Sequence, residues 1–165
     1  MLKELKNIEL LFLKINEQKI SNLTPENECE EYAGFNFQME KLNFKFRKTK
    51  ITPKKVGQFV SLWKRDAQNQ TKPYDENDNF DFYIFASEQN DNFGFFIFSK
   101  SLLIEKNILS TKLKEGKRGF RLYPPWTKTE NQQAAKTQSW QTKYFIEFGK
   151  DENKNINVLN AILNA

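Results

Sequence analysis

Two apolar segments separated by a short polar turn constrain the fold of this chain more than any other feature. Phe80–Ser87 and Phe93–Ser99 are almost continuously apolar, and Glu88–Asn92 joins them. Strands that are hydrophobic without alternation are buried on both faces, as in the middle of a covered sheet. We therefore predict two neighbouring central strands with other elements on both sides. The length of 165 residues suits one domain, and we predict a single domain over residues 1–165.

Several other segments have helical patterns. They are residues 3–19, Thr24-Pro25 to about Ala33, Thr52-Pro53 to about Arg65, residues 101–107, and residue 129 through Tyr144. Threonine before proline is typical of a helix start, because threonine caps the first turn and proline fits it. After the second such pair, apolar residues recur at the spacing of one helix face, at Val56, Phe59, Val60 and Trp63. The tail after about residue 149 is polar, with a weak helical pattern at its end.

The remaining apolar patterns are those of strands. Alternating residues over 35–39 and 42–46 predict a hairpin or one bent strand. Phe120–Tyr123 predicts a short strand that Pro124-Pro125 ends. Tyr144–Phe148 fits either the end of the last long helix or a final strand. Because helices and strands interleave, we predict an α/β or α+β fold with a covered sheet.

The distribution of charge is more informative than its sum. The chain has 26 Lys and Arg against 21 Asp and Glu, a net charge of +5. Nine cations and one anion lie between Lys41 and Asp66, and ten cations and three anions lie between Lys100 and Lys143. Residues 74–91 between them carry six acids and no base. This pattern predicts a charged groove for an anionic partner, with solvated faces as the alternative.

Composition excludes several kinds of chemistry and location. The chain has no His and one Cys, which excludes His-dependent nucleophiles, His-ligated metals, intrachain disulfides and multi-Cys zinc sites. We predict that Cys29, in an acidic stretch that raises thiol pKa, fills the core. No apolar segment reaches the roughly 20 residues that span a bilayer, and no signal-peptide pattern is present. We therefore expect a cytoplasmic protein without a membrane partner.

Two segments predict phosphate contacts. Gly116–Trp126 combines arginines for bidentate phosphate binding with aromatic faces for base stacking, and Gln132–Gln141 adds amides that can contact bases or phosphates. With the lysine pair after Thr52-Pro53, the candidate nucleic-acid-binding residues are Lys54, Lys55, Lys117, Arg118, Arg121, Tyr123, Trp126, Gln133, Lys136, Gln138 and Gln141. The alternatives are a basic turn whose aromatics cover the core edge, and a solvated helix.

Acidic residues offer a weaker catalytic hypothesis. Asp81 begins one apolar strand and Lys100 closes the next, so these residues could supply a carboxylate for Mg²⁺ and a lysine that polarises water. Asp75, Asp78, Glu28, Glu30 and Glu31 could also offer oxygen ligands, although acidic loops are usually solvated. We predict no metal site and no cofactor, apart from Mg²⁺ if the chain is a nuclease.

Three blocks of the sequence together resemble the MepB family, a small bacterial family of poorly defined function. They are Phe46-Arg47-Lys48-Thr49-Lys50-Ile51-Thr52-Pro53 and its continuation to Trp63-Lys64-Arg65, Gly116–Trp126, and Gln133-Ala134-Ala135-Lys136-Thr137-Gln138-Ser139-Trp140-Gln141 with Tyr144-Phe145. The resemblance implies a restriction-endonuclease-like core, in which helices flank a mixed central β-sheet.

Nucleases of that fold carry an Asp on one strand and Glu-x-Lys on the next. The resemblance places Asp81 and Lys100 at the first and last positions but puts Phe98 at the Glu position. Phenylalanine cannot coordinate Mg²⁺, so cleavage would need a displaced acid, for which Glu30, Glu31 and Glu88 are candidates. The favoured hypothesis is therefore binding of DNA or RNA on a nuclease-like scaffold. A Mg²⁺-dependent nuclease and a small-anion or protein-partner module are the alternatives.

Overall fold

The computed structural model describes all residues from Met1 to Ala165. The strands are β1 Ser21–Pro25, β2 Phe35–Met39, β3 Leu42–Lys48, β4 Lys50–Ile51, β5 Gln58–Ser61, β6 Trp63–Arg65, β7 Thr71–Pro73, β8 Phe82–Gln89, β9 Asn92–Ser99, β10 Gly119–Leu122 and β11 Phe145–Glu147. The helices are α1 Lys3–Asn16, α2 Lys100–Glu105, α3 Gln132–Gln141 and α4 Glu152–Leu163, with 3₁₀ turns at Glu30–Tyr32 and Thr142–Tyr144.

A mixed six-stranded sheet forms the centre, in the order β1-β2-β3-β8-β9-β11. Strands β3 and β8 are parallel, and every other neighbouring pair in this sheet is antiparallel. Strands β10, β5 and β4 form a smaller antiparallel sheet, and β6 pairs with β7. The predicted mixed central sheet with flanking helices is confirmed.

The central strands are buried on both faces, as their continuous hydrophobicity predicts. Along β8, Tyr83 and Phe85 belong to one hydrophobic core, whereas Phe82 and Ile84 belong to the other. Successive residues of a strand point to opposite faces, so each strand supplies both cores. The predicted hairpin is also confirmed, since β2 and β3 pair from Phe35↔Phe46 to Met39↔Leu42.

Different elements cover the two faces of the central sheet. Helices α1 and α4 pack on one face, where Leu5, Ile8 and Leu159 are fully buried. The opposite face is covered by β5, β10 and α2, with α3 packed against them through Trp140. No helix in the chain is long and apolar enough to cross a membrane.

Two predicted helices do not form; residues 24–33 instead contain the end of β1 and the 3₁₀ turn Glu30–Tyr32. Thr24-Pro25 ends β1, where Thr24 pairs with Asn36 and Pro25 with Phe35; proline is tolerated there because β1 is an edge strand. The predicted helix over residues 52–65 is a loop followed by β5 and β6. Burial along β5 alternates, and Gly57 immediately before it has a φ of 86°, so the local backbone ends any helix.

The boundaries of most other predicted elements lie close to those in the structure. Helix α1 ends at Asn16 instead of residue 19, because Glu17 adopts a left-handed conformation with φ of 56°. The helix predicted from residue 129 through Tyr144 is shorter in the structure, where α3 covers Gln132–Gln141. The segment after Tyr144 is the strand β11, which is one of the two predicted alternatives for it. Helix α2 and strand β10 are confirmed, and the weak helical pattern at the end of the chain forms α4.

Candidate nucleic-acid interface

The first basic segment is largely neutralised by acids from other parts of the chain. Six of its nine cations form ion pairs: Lys45 and Arg47 with Glu26, Lys48 with Glu4, Lys50 with Glu31, Lys64 with Asp75 and Asp78, and Arg65 with Glu28. These partners come from α1, the turn around the first 3₁₀ helix, and the acidic segment. Most of this block is therefore paired within the fold, and Lys41, Lys54 and Lys55 are its unpaired cations.

The innermost of these pairs is buried. Glu26 lies 2.8 Å from Arg47 Nη2 and 2.9 Å from Lys45 Nζ, and the Arg47 side chain is completely inaccessible. Arg47 also donates to the Tyr74 hydroxyl at 3.2 Å and to the Ser61 carbonyl. Burial acts to lower the pKa of Arg47, but nearby Tyr83 and Glu26 raise it, so the guanidinium stays charged. This cluster ties β3 to the turn after β1.

Asp75 and Asp78 form ion pairs with a lysine and do not form an open set of metal ligands. Lys64 Nζ lies 2.5 Å from Asp78 and 3.3 Å from Asp75. Burial lowers the pKa of Lys64, and hydrogen bonding to Asp78 more than offsets this, so its pKa is raised overall. Burial would raise the pKa of Asp75, but the Asn77 amide and Lys64 lower it. The Asp75 carboxylate thus remains ionised, and both carboxylates are ion-pair partners of Lys64.

Cations of the second basic segment converge on a cavity of about 410 Å³ beside α3. We call it the α3 cleft; it is lined by Lys106, Ile108, Lys117, Phe120, Arg121, Tyr123, Asn131, Gln133, Ala134, Thr137, Trp140 and Gln141. Its three cations come from the end of α2, the loop before β10, and β10 itself. None of the three forms an ion pair, and no acid lines the cleft. The cleft is therefore suited to an anion.

Local packing holds the Arg121 side chain and the backbone at Lys117. The Lys117 amide donates to the Ile108 carbonyl at 2.9 Å. The Arg121 guanidinium donates to Thr52 Oγ1 at 2.7 Å and to the Val56 carbonyl at 3.3 Å. The Arg121 side chain and the Lys117 backbone are thus held, while the Lys117 side chain is exposed.

Close backbone contact explains the glycine before Lys117. A Cβ on Gly116 would lie 2.3 Å from the Ile108 carbonyl oxygen, so only glycine allows the two segments to meet. Its amide donates to Ser110 Oγ at 2.7 Å. The basic turn that the sequence predicts is therefore a tightly held loop.

A second cavity of about 310 Å³ lies on the other side of the loop after β4. We call it the Trp126 cleft; it is lined by Ile51, Lys55, Val56, Gly57, Gln89, Asn90, Asn92, Trp126, Thr127 and Lys128. It also contains two cations and no acid. The two clefts adjoin, because Arg121 and Tyr123 of the α3 cleft contact Val56 and Gly57 of the Trp126 cleft.

Two predicted contact residues serve the fold instead. Gln141 is completely buried; it accepts from the Tyr123 amide at 2.8 Å and donates to the Arg121 carbonyl at 2.9 Å. Gln138 donates to the carbonyls of Pro124 and Thr127. These amides position the cleft walls, and Gln133 remains an exposed amide at the α3 cleft.

Of the other predicted nucleic-acid-binding residues, six line the two clefts and three do not. Lys117, Arg121, Tyr123 and Gln133 line the α3 cleft, while Lys55 and Trp126 line the other cleft. Lys54 and Lys136 are exposed and unpaired near them in sequence, but line neither cleft. Arg118 is directed elsewhere: it donates to Glu115 at 3.1 Å and to the Thr71 carbonyl at 3.2 Å.

Lys106 and Lys128 also line the clefts, although the sequence does not predict them as contact residues. Lys106 Nζ lies 5.0 Å from the centre of the Trp140 ring, a cation–π contact. Both lysines belong to the second basic segment, but neither stands near the glycine-bounded turn in sequence. Only the packing of α2 and of the Pro-Pro-Trp loop brings them to the clefts.

Asp81 and Lys100 are neighbours through their backbones only. The Lys100 amide donates to the Asp81 carbonyl at 3.0 Å, as expected for residues at the paired ends of β8 and β9. The Asp81 carboxylate instead accepts from the Asn43 amide at 2.8 Å, and Lys100 Nζ donates to the Asp78 carbonyl. Their side chains are thus engaged in local structure.

The donors around Asp81 do not fit a Mg²⁺ site. No group of three or more His, Cys, Asp or Glu side chains is arranged to hold a metal ion. Phe98 is fully buried against Trp140. Glu88 lies near the opposite end of β8 from Asp81, on the order of 23 Å away at the rise of a strand, and Glu31 pairs with Lys50.

Cys29 packs against the hydrophobic core beside Arg47, as predicted for a core-filling residue. The pKa of its thiol is raised, chiefly by burial, with nearby Glu26 as a smaller contribution. The direction agrees with the sequence prediction, but burial is the main physical cause.

Comparison with known proteins identifies the family. Residues 26–147 match the model of the MepB-like family. The chain belongs to the MepB-like family. All three sequence blocks that resemble MepB lie inside the matched range, and the second and third form most of the α3 cleft.

A solved structure gives the same result for this MepB-like chain. It is 34% identical to a crystal structure of MepB, with a TM-score of 0.80, over 92% of this chain and 100% of that one. The structure of a bacterial homing endonuclease is also similar, at 15% identity and a TM-score of 0.48, over 83% of this chain and 85% of that one. No curated protein sequence matches the chain.

Gly57→Ala is expected to disturb the boundary between the two clefts. Gly57 has a φ of 86°, and a Cβ would lie 2.7 Å from the Tyr123 ring. We expect the free energy of unfolding in urea to fall by roughly 1–3 kcal/mol. Gly149→Ala is the matched control, because Gly149 has a φ of 80° with nothing within 4 Å of a Cβ. Equal losses in the two variants would show that contact with Tyr123 costs nothing.

Proposed function

We propose that this MepB-like protein binds nucleic acid, DNA or RNA, through the α3 cleft and the Trp126 cleft. The observation that carries the proposal is the position of the unpaired cations. Lys55, Lys106, Lys117, Arg121 and Lys128 line two adjoining cavities that contain no acid. Clustered cations without internal partners are what a polyanion requires.

The neutralisation of the first basic segment supports this location. Its ion-paired cations have carboxylates at 2.5–3.3 Å, so phosphates would have to displace those carboxylates. The cations in the clefts face no such competition. In this proposal the binding surface is therefore narrower than the groove of two basic blocks that the sequence predicts, and it is centred on β10, α3 and the loop before β5.

Aromatic and amide side chains in the clefts support a nucleic acid over a simple anion. Tyr123 and Trp126 are partly exposed, and Gln133, Asn131 and Gln89 present amides beside them. Aromatic rings stack on bases, and amides donate to phosphates and base edges. In this proposal these groups contact the bases as well as the phosphates.

A titration at several salt concentrations tests the proposal. Fluorescence anisotropy with labelled single- and double-stranded oligonucleotides should give an affinity that falls steeply from 50 to 200 mM salt, by about 0.9 log units per log unit of salt for each neutralised phosphate on duplex DNA. Absence of binding at the lowest salt, or binding independent of salt, would contradict it.

Arg118→Ala distinguishes the clefts from the basic turn as a whole. Because Arg118 is paired with Glu115 outside the α3 cleft, we expect Arg118→Ala to leave the salt slope on duplex DNA unchanged. Lys117→Ala should reduce the slope by about 0.9. The reverse ranking would place the contact on the face of the turn that carries Arg118.

Cleavage is the rival function, favoured only by the meeting of Asp81 and Lys100 at one end of β8 and β9. Incubation of plasmid and single-stranded DNA with Mg²⁺ or Mn²⁺ tests it. Cleavage that Asp81→Ala abolishes would favour a nuclease, and intact DNA would favour binding alone.

A further inference from the structure

We infer that the α3 cleft holds the terminal phosphate of a nucleic-acid strand, a phosphomonoester, in preference to an internal phosphodiester. The inference rests on the proposed function and names the part of the nucleic acid that this cleft recognises. It follows from the number of cations in the cleft, the way they are held, and the size of the cavity.

The cleft concentrates positive charge from separate elements. Lys106, Lys117 and Arg121 line one cavity of about 410 Å³ without an acidic residue. The first half of α3 adds the positive end of its dipole, because Asn131, Gln133 and Ala134 also line the cavity. The Asn131 side chain caps this helix end by accepting from the Ala134 amide. Because asparagine is uncharged, the cap does not compete with a ligand for the cations.

A phosphomonoester matches this charge better than a phosphodiester. A backbone phosphate carries one negative charge, whereas a terminal phosphate carries about 1.5 to 2 near neutral pH and has three free oxygens. Three oxygens can accept from three cationic groups at once, and such charge-assisted hydrogen bonds are the strong ones. A phosphodiester would leave part of this positive charge unmatched.

Two of the three cations of the α3 cleft, Arg121 and Lys106, are organised before a ligand binds. Arg121 is held by Thr52 and Val56, and the Phe59 ring centre lies 5.7 Å from its guanidinium carbon. Lys106 is held over the Trp140 ring at 5.0 Å. Held side chains lose less conformational entropy on binding, which favours a compact anion over a loose polyelectrolyte contact.

The cavity is the size of a small ligand. Its volume of about 410 Å³ falls in the range of roughly 300–1,000 Å³ found for small-molecule sites. It therefore suits the terminal nucleotide of a strand, with the following nucleotides running toward the adjoining Trp126 cleft.

Three internally labelled oligonucleotides of one sequence test the inference. One carries a 5′-phosphate, one a 3′-phosphate and one hydroxyls at both ends. At pH 7.5 we expect one phosphorylated form to bind about tenfold more tightly than the hydroxyl form. The advantage should shrink at pH 5.5, where the terminal phosphate, whose second pKa is about 6, takes up a proton.

Variants in one loop locate the effect. Lys117→Ala should abolish the advantage, whereas Lys114→Ala should preserve it, because Lys114 is an exposed lysine of the same loop that lines neither cleft. Inorganic phosphate should compete with the phosphorylated oligonucleotide for wild type but not for Lys117→Ala.

The possible failures are distinguishable. Equal, salt-dependent binding of all three oligonucleotides would overturn the inference and leave the proposed function intact. Thermal stabilisation by inorganic phosphate or a mononucleotide without binding of any oligonucleotide would overturn both, and would assign the cleft to a free phosphomonoester.

Discussion

Glu26→Ala is expected to lower the free energy of unfolding by about 3–5 kcal/mol, because it leaves a buried guanidinium without its carboxylate. Arg47 is completely inaccessible, and the Glu26 side chain is 6% exposed. The variant also removes the ion-pair partner of Lys45, whose Nζ lies 2.9 Å from the Glu26 carboxylate. Urea unfolding followed by circular dichroism measures the loss.

Glu31→Ala is the control for this result. Glu31 pairs with Lys50 at 3.2 Å, but their side chains are 64% and 44% exposed, and exposed pairs contribute about 1 kcal/mol or less. Arg47→Met in the Glu26→Ala background should recover part of the stability, since it removes the uncompensated charge. If Glu26→Ala cost no more than Glu31→Ala, the buried pair would not hold β3 to the turn after β1.

The largest expected effect on binding comes from reversing one charge in each cleft. Lys55→Glu with Lys117→Glu should weaken oligonucleotide binding at 0.1 M salt by about a hundredfold or more, because each change removes a cationic contact and adds a repulsive carboxylate. Both side chains are exposed and unpaired, so the fold should be unaffected. Anisotropy titration measures the change.

A second double variant separates charge location from net charge. Lys6→Glu with Lys154→Glu changes the net charge by the same amount, on exposed residues of α1 and α4. These helices cover the opposite face of the central sheet from α3. We expect this variant to bind far better than the first, and equal losses would mean that only net charge matters.

The central strands could be predicted because their signal is local. Strands β8 and β9 are continuously hydrophobic because they are buried on both faces. The pattern therefore predicts both the strands and the elements that cover the two faces of the sheet. The hairpin of β2 and β3 is similar, since alternation and a short turn define it. Such elements need no knowledge of distant partners.

The segment over residues 52–65 shows where local reasoning fails. Val56, Phe59, Val60 and Trp63 have helical spacing, but Phe59 and Val60 pair with Arg121 and Phe120 of β10. Pairing with a strand some 60 residues away overrides the local pattern. A positive φ at Gly57 is equally invisible in the sequence, although glycine permits it.

The candidate site was predictable in its residue types and not in its geometry. Lys117, Arg121 and Tyr123 stand together in sequence and line one cleft. Their neighbour Arg118 points away, and buried Gln141 serves the fold. Which lysines have acidic partners depends on long-range packing, as the Glu26 cluster shows, so charge counts alone overstate the number of unpaired cations.

The most direct measurement is a ¹H–¹⁵N NMR titration of the labelled protein with an unlabelled oligonucleotide, followed through its tryptophan indole signals. Trp126 and Trp140 line the two clefts, and Trp63 lines neither. We predict saturable shifts of the Trp126 and Trp140 indoles and of the Lys117 amide, with Trp63 unchanged. Shifts confined to Trp63 or to the α1 and α4 face would contradict the account.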